Sequence, residues 1–200
     1  PKIIKAFRPV IFNGDGYTQE WKDEAAKRGL PNLPTTPEAI DHINKKENVA
    51  LFKKFGVFSK KELDSRKEIH LENYSSIIGI EAETSLVMAR TMLLPAALKY
   101  QTQVAEAYIS LKAAGIESET QADMLGDLAC TIDAFKTSID VLAAAIAHDA
   151  PAAAMKHAVY TRDVVLAAMN DCRELGDSLE TIVADELWTL PSYNEMLFIR

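Results

Sequence analysis

Cysteine is scarce in this chain: Cys130 and Cys172 are the only two, and they lie far apart. Neither sits in a CxxC motif or beside a cluster of histidines. A disulfide framework is therefore not expected, and a reducing cytoplasm is the expected home. Long apolar runs are missing as well. The longest, from Leu142 to Val159, is interrupted by His148, Asp149 and Pro151. A bilayer span needs about 20 consecutive apolar residues, so no membrane segment is expected. No signal peptide is visible. The short motifs that carry nucleotide or hydrolase chemistry are absent: no GxxxxGK[ST], GxGxxG, GxSxG or HExxH occurs. Histidine is rare, and His42, His70, His148 and His157 show no spacing of three or four residues. A metal site built on them is not expected. The paired ExxH motifs of di-iron helical bundles are missing too, which argues against a ferritin-like metal centre. No internal repeat or low-complexity tract stands out.

What the chain does have is enough length for one or two domains with a real core. Its 200 residues are 48% hydrophobic and 26% charged, ordinary values for a globular protein. The net charge is −7, unevenly spread. Residues 1–58 hold ten Lys/Arg against seven Asp/Glu, and residues 59–200 hold twelve against twenty-two. An acidic helical half repels phosphate backbones, so nucleic acid is not an expected partner.

The first 58 residues read as short elements. Residues 2–7 resemble the end of a helix, and Val10, Ile11 and Phe12 allow one short strand. Asn13-Gly14-Asp15-Gly16 is a run of turn formers. Thr18 is placed to cap a helix over 19–28, which Gly29 stops. Three prolines in LPNLPTTP keep the next stretch extended. Thr36-Pro37 reads as a cap followed by a first-turn proline, with a helix to about Asn44. A further helix is expected over 46–55, ending at Gly56.

From Ser59 the pattern changes. Ser59-Lys60-Lys61-Glu62 is a capping box opening one long helix over about 60–115. Pro95 is expected to kink it or split it in two. Its apolar face is read from Tyr74, Ile78, Met88, Met92, Leu98, Val104, Tyr108 and Leu111. Ser118-Glu119-Thr120-Gln121 is a second capping box, for a helix over about 119–148. That helix carries a strict seam at Leu125, Leu128, Ile132, Phe135, Ile139, Leu142 and Ile146. A third helix, about 151–187, carries one at Ala158, Thr161, Val165, Ala168, Cys172, Leu175, Leu179 and Ile182. The short connection between the two makes them antiparallel. A third capping box, Ser192 to Glu195, opens a short final helix at 192–198 with a very apolar surface. The expected fold is all-α: long antiparallel helices in a three-helix bundle or coiled coil, after a short-helix segment with at most one strand.

Few residues invite a chemical role. Glu81 and Glu83 are the most tempting carboxylates. Glu81 falls on the more apolar face of the long helix, where a Glu more often pairs with an arginine such as Arg66 or Arg90 than acts as acid, base or ligand. The Asn13–Gly16 turn lacks the alternating ligands and distal Glu of an EF-hand, so a plain turn is expected. Cys172 sits on a seam and reads as a small core residue.

Three stretches taken together carry a resemblance. FNGDGYTQEWKDEAAKRGLPNLPTTPEAI, LFKKFGVFSKKELDSRKEIHLENYSSIIGIEAET and the ending DELWTLPSYNEMLFIR resemble the C-terminal region of type III glutamine synthetases, over essentially the whole chain. The resemblance implies a parent enzyme that ligates ammonia to glutamate with ATP and Mg or Mn, as a homo-oligomer. It also implies that the catalytic barrel lies upstream. Pro1, without a preceding Met, fits a fragment taken after that barrel. No catalytic, cofactor-binding or metal residue is carried onto this chain. Residues 1–58 are expected to pack on the catalytic domain, and 59–200 to form a helical extension serving assembly or regulation. A free-standing coiled-coil adaptor that binds a partner helix is the alternative, and a helical metalloenzyme is a third reading that the missing ligand motifs disfavour.

Overall fold

The computed structural model describes residues 2–8, 11–149, 151–191 and 193–197. Among them there are helices and no strands. Ten α-helices follow in order: α1 Lys2–Ala6, α2 Gln19–Lys27, α3 Thr36–Asp41, α4 Lys46–Lys54, α5 Lys60–Met88, α6 Leu94–Ala113, α7 Glu119–Ala147, α8 Ala154–Tyr160, α9 Leu166–Glu180 and α10 Tyr193–Leu197. Ile11 and Phe12 are irregular, so the expected strand does not form there, and Val10 lies outside the described residues. By contact density the chain divides between Lys67 and Glu68, inside α5, and not at residue 59 where the sequence changes character.

The first unit, Pro1–Lys67, is thinly cored. Its buried apolar residues among those described are Ala25, Pro37 and Leu63. Helix α1 buries nothing. Polar contacts hold much of the rest. Asp15 Oδ1 accepts the backbone N–H of Tyr17, and the Thr18 hydroxyl donates back to the Asp15 carbonyl. Thr18 is therefore the cap of α2 by position, with its side chain turned away from the helix. The cap of α3 is Thr35, one residue before the expected one. At the start of α5 the capping box forms in full. Ser59 N–H donates to Glu62 Oε2 at 2.7 Å, and Glu62 N–H donates to Ser59 Oγ at 3.3 Å. The Ser59 N–H and the Ser59 hydroxyl both donate to the Glu62 carboxyl, favour its charged form and lower its pKa.

In the second unit the long helix does not break at Pro95. It passes from α5 through a π-turn at Ala89–Leu93 straight into α6. Leu94 N–H reaches back to the Ala89 carbonyl, five residues away. Proline cannot donate to the carbonyl four residues before it, and its ring crowds that carbonyl. A widened turn just ahead of Pro95 absorbs both problems, a common place for such a turn. The π-turn also moves the core face. Ala82, Ala89, Ala97 and Val104 are buried, at spacings of seven, eight and seven residues. The eight is the extra residue of the π-turn. Leu98, expected inside, is 45% exposed, one residue past Ala97 and so about 100° round the helix from the buried line.

Helix α7 follows its expected seam: Leu128, Ile132, Phe135, Ile139 and Leu142 are all buried. Its second capping box closes only halfway. Gln121 N–H donates to Ser118 Oγ, while Gln121 Oε1 is buried without a partner among the described residues. The third expected helix is α8, a second π-turn at Thr161–Val165, and α9. It runs back along α7. Tyr160 Oη donates to the Ala145 carbonyl at 2.9 Å, Cys172 meets Ser138, and Gly176 faces Phe135. Rising numbers on one helix meet falling numbers on the other. Late in α9 and just past its end Gly176, Leu179 and Val183 are buried, with Leu175 and Ile182 only half-buried. A nearly straight helix drifts about 20° per heptad from a strict 3.5-residue repeat, so Leu179 keeps its place while the positions beside it shift by one residue. Helix α7 also packs on α6, and the first π-turn meets α9. No helix among the described residues is long and apolar enough to cross a membrane.

Candidate functional site

The second unit holds a half-open cavity of about 590 Å³. Three stretches of chain build it. Helix α5 supplies Ile80, Glu81, Thr84 and Met88, and the π-turn supplies Leu93. Helix α9 supplies Met169, Asn170, Arg173, Asp177 and Glu180. The segment after α9 closes one side with Trp188, Leu190 and Met196, and Phe135 of α7 lies beneath. Gly176 lets this floor form. It is buried in α9, and a β-carbon there would sit 3.4 Å from Leu93 Cδ1 and 3.6 Å from the Phe135 ring. A larger side chain would take up the space between the helices.

The electrostatics of the cavity are lopsided. Glu81, Asp177 and Glu180 face it against one cation, Arg173, which pairs with Asp177 at 3.5 Å. Glu81 is exposed and makes no ion pair with Arg66 or Arg90 among the described residues. Arg66 instead lies over the Phe58 ring, 4.4 Å from its centroid. Glu83 is exposed too. Cys172 lines the cavity from the core side. It is buried, and burial raises its thiol pKa, so it is a weak nucleophile at neutral pH. The nucleophile, base and orienting group of a covalent catalyst do not converge here.

The other sequence candidates stay apart. The Asn13–Gly16 turn is a structural clamp. Phe12 stacks on Trp21 at 4.7 Å, Arg28 lies 5.9 Å over the same indole, and Arg28 Nη1 donates to the Ile11 carbonyl at 2.7 Å. His148 stacks on Tyr160, and His42 contacts Lys45. Among the described residues no group of three or more His, Cys, Asp and Glu could hold a metal ion. A polar cluster sits in the first unit. Lys67 Nζ donates to Asp41 Oδ1 at 2.6 Å and to Asn44 Oδ1 at 3.3 Å, and Asn44 Nδ2 donates to Asp64 Oδ1 at 2.8 Å. The Lys67 bond holds the Asp41 carboxyl below its usual pKa, and bonds from Lys60 and Asn44 do the same for Asp64.

Comparison with known proteins places this arrangement. The family model described as the glutamine synthetase C-terminal domain matches residues 1–112. The chain belongs to that family. Its match takes in the whole first unit, α5, the first π-turn and all but the end of α6. A type-3 glutamine synthetase of Dictyostelium discoideum is 35% identical over 96% of this chain. Glutamine synthetases of Butyrivibrio fibrisolvens and Bacteroides fragilis are 35% and 30% identical over 98% of it. The chain spans only 27–29% of the length of these relatives. Helices α7 to α9 and the cavity fall beyond residue 112, or straddle it, yet lie within the stretch these glutamine synthetases share. Sequence reasoning singled out Glu81 but not the cavity around it. The missed signal was Gly176, a glycine one step off a heptad seam.

Proposed function

We propose that this chain is the C-terminal helical domain of a glutamine synthetase of the type-3 form, and that it serves assembly or regulation of the parent enzyme. The parent ligates ammonia to glutamate with ATP, releasing glutamine, ADP and phosphate, in the cytoplasm. The family match over residues 1–112 and the names of the relatives support this reading. The donor sets for ATP and for Mg or Mn belong in this reading to the upstream catalytic domain.

The surface of the first unit carries the interaction half of the proposal. Ile3, Ile4 and Phe7 on and beside α1 are more than half exposed, as are Leu51, Phe55 and Val57 around α4. Each group offers exposed apolar side chains of the kind that mark a contact surface. The upstream catalytic domain is the partner that covers them. The apolar tail from Trp188 onward, coiled-coil packing of the long helices and the homo-oligomer form the second part of the same proposal.

Two measurements test it. The purified 200-residue chain, supplied with glutamate, ammonia, ATP and magnesium, is expected to release no ADP above a buffer blank. Turnover would overturn the non-catalytic assignment. The parent enzyme lacking residues 188–200 is expected to show an altered oligomer mass. Unchanged mass together with unchanged activity would overturn the assembly role.

A further inference from the structure

The cavity plays no part in the reading above, and its walls leave polar groups unanswered. Trp188 Nε1 is buried and donates to nothing among the described residues. A buried donor without an acceptor is costly, because it has left water and gained nothing in return. The carboxylates of Glu81 and Glu180 also lack hydrogen-bond and ion-pair partners there. Three carboxylates against one guanidinium make the rim acidic, and that guanidinium is already engaged with Asp177. An anion would meet net repulsion. A neutral hydrocarbon would leave the indole N–H unpaired.

The rest of the wall is apolar and adaptable. Met88, Met169 and Met196 bring three thioethers to one space. Methionine is flexible and polarisable and moulds to varied apolar shapes. The cavity volume falls within the roughly 300–1,000 Å³ typical of small-molecule sites.

We infer that this cavity binds a small organic cation with an apolar body and a hydrogen-bond acceptor. The ammonium group sits by Glu81 and Glu180, the acceptor takes the Trp188 N–H, and the body lies against the methionines. Such a ligand answers each unpartnered group at once.

Phenylalaninamide has all three features: an ammonium, an amide carbonyl and a phenyl ring. N-acetylphenylalanine keeps the ring and carbonyl but carries a negative charge. Each is titrated into the 200-residue chain while the two indole N–H resonances are followed by NMR. The Trp21→Phe variant assigns the Trp188 signal. Phenylalaninamide is expected to move the Trp188 indole proton downfield with a dissociation constant of about 1 mM or tighter. N-acetylphenylalanine is expected to leave it in place. The double change Glu81→Gln and Glu180→Gln is expected to weaken phenylalaninamide at least about ten-fold, as loss of two charge-assisted contacts does. Trp188→Phe keeps an aromatic wall, removes the donor and is expected to weaken it several-fold by calorimetry. No Trp188 shift at about ten times that concentration would overturn the site. Equal binding of the anionic compound, or affinity unchanged by the double glutamine change, would overturn the assigned chemistry.

Discussion

The two units of this chain solve the burial problem in opposite ways. Glu68–Arg200 encloses an apolar core in which Phe135, Ile139, Leu142 and Leu179 are fully buried. Pro1–Lys67 leaves most of its large apolar side chains near the surface and relies on a capping box, an aromatic clamp and a lysine–carboxylate cluster. Hydrogen bonds and exposed ion pairs contribute modestly to net stability, and apolar burial contributes most of it. A unit built mainly of the former is stable when something else covers its apolar face. The contrast separates a unit with a closed apolar core from one that leaves its apolar side chains exposed.

Core substitutions should separate the two units most sharply. Phe135→Ala is expected to destabilise the second unit by about 3–5 kcal/mol. Phe7→Ala or Phe55→Ala, at exposed positions, is expected to stay within about 0.5 kcal/mol in this chain. Chemical denaturation followed by circular dichroism checks both, and a large loss from Phe55→Ala would abolish the distinction. The register of the long helix supplies the next effect. Ala97→Leu overpacks the core and is expected to cost about 1–3 kcal/mol. Leu98→Ala beside it, at an exposed position, is expected to be nearly neutral, and the reverse ranking would mean that Leu98 and not Ala97 faces the core. Ser118→Ala removes the cap of α7 and is expected to cost about 1 kcal/mol in the same assay.

The smallest effect is on pH. Asp41, Glu62 and Asp64 all have lowered pKa values in the folded first unit. Groups with depressed folded pKa values stabilise the fold above the ordinary carboxylate pKa, near 4. That contribution is lost as pH falls through the lowered values. Acid is therefore expected to loosen the first unit before the second, whose core does not depend on carboxylates. Hydrogen exchange of α3 against α7 between pH 5 and pH 2 reads the order, and simultaneous loosening would contradict it.

The sequence showed the long helices plainly where nothing interrupts their period. The α7 seam is buried along its central turns because its heptads have no defect. The α5–α6 face was misread at Leu98 because that face carries no strict heptad to read it from, and the one-residue widening leaves no mark in residue types beyond Pro95 itself. The drift to Gly176 and Val183 was invisible for a related reason: a seam written at 3.5 residues per turn hides the slower drift of a straight helix. Thr18 has the residue type of a cap, but the competing Asp15 carbonyl takes its hydroxyl. The candidate site was the least legible part. Glu81, Gly176 and Trp188 are far apart in the chain, and only folding makes them neighbours.

The π-turn ahead of Pro95 has one more consequence, for how such a helix can change over generations. A codon lost within residues 89–93 would narrow a wide turn and leave the alanine line from Ala82 to Val104 facing the same way, since its spacing would become a uniform seven. A codon lost between residues 82 and 104 but outside that turn would swing the part of the line beyond it by about 100° relative to the rest and carry it toward solvent.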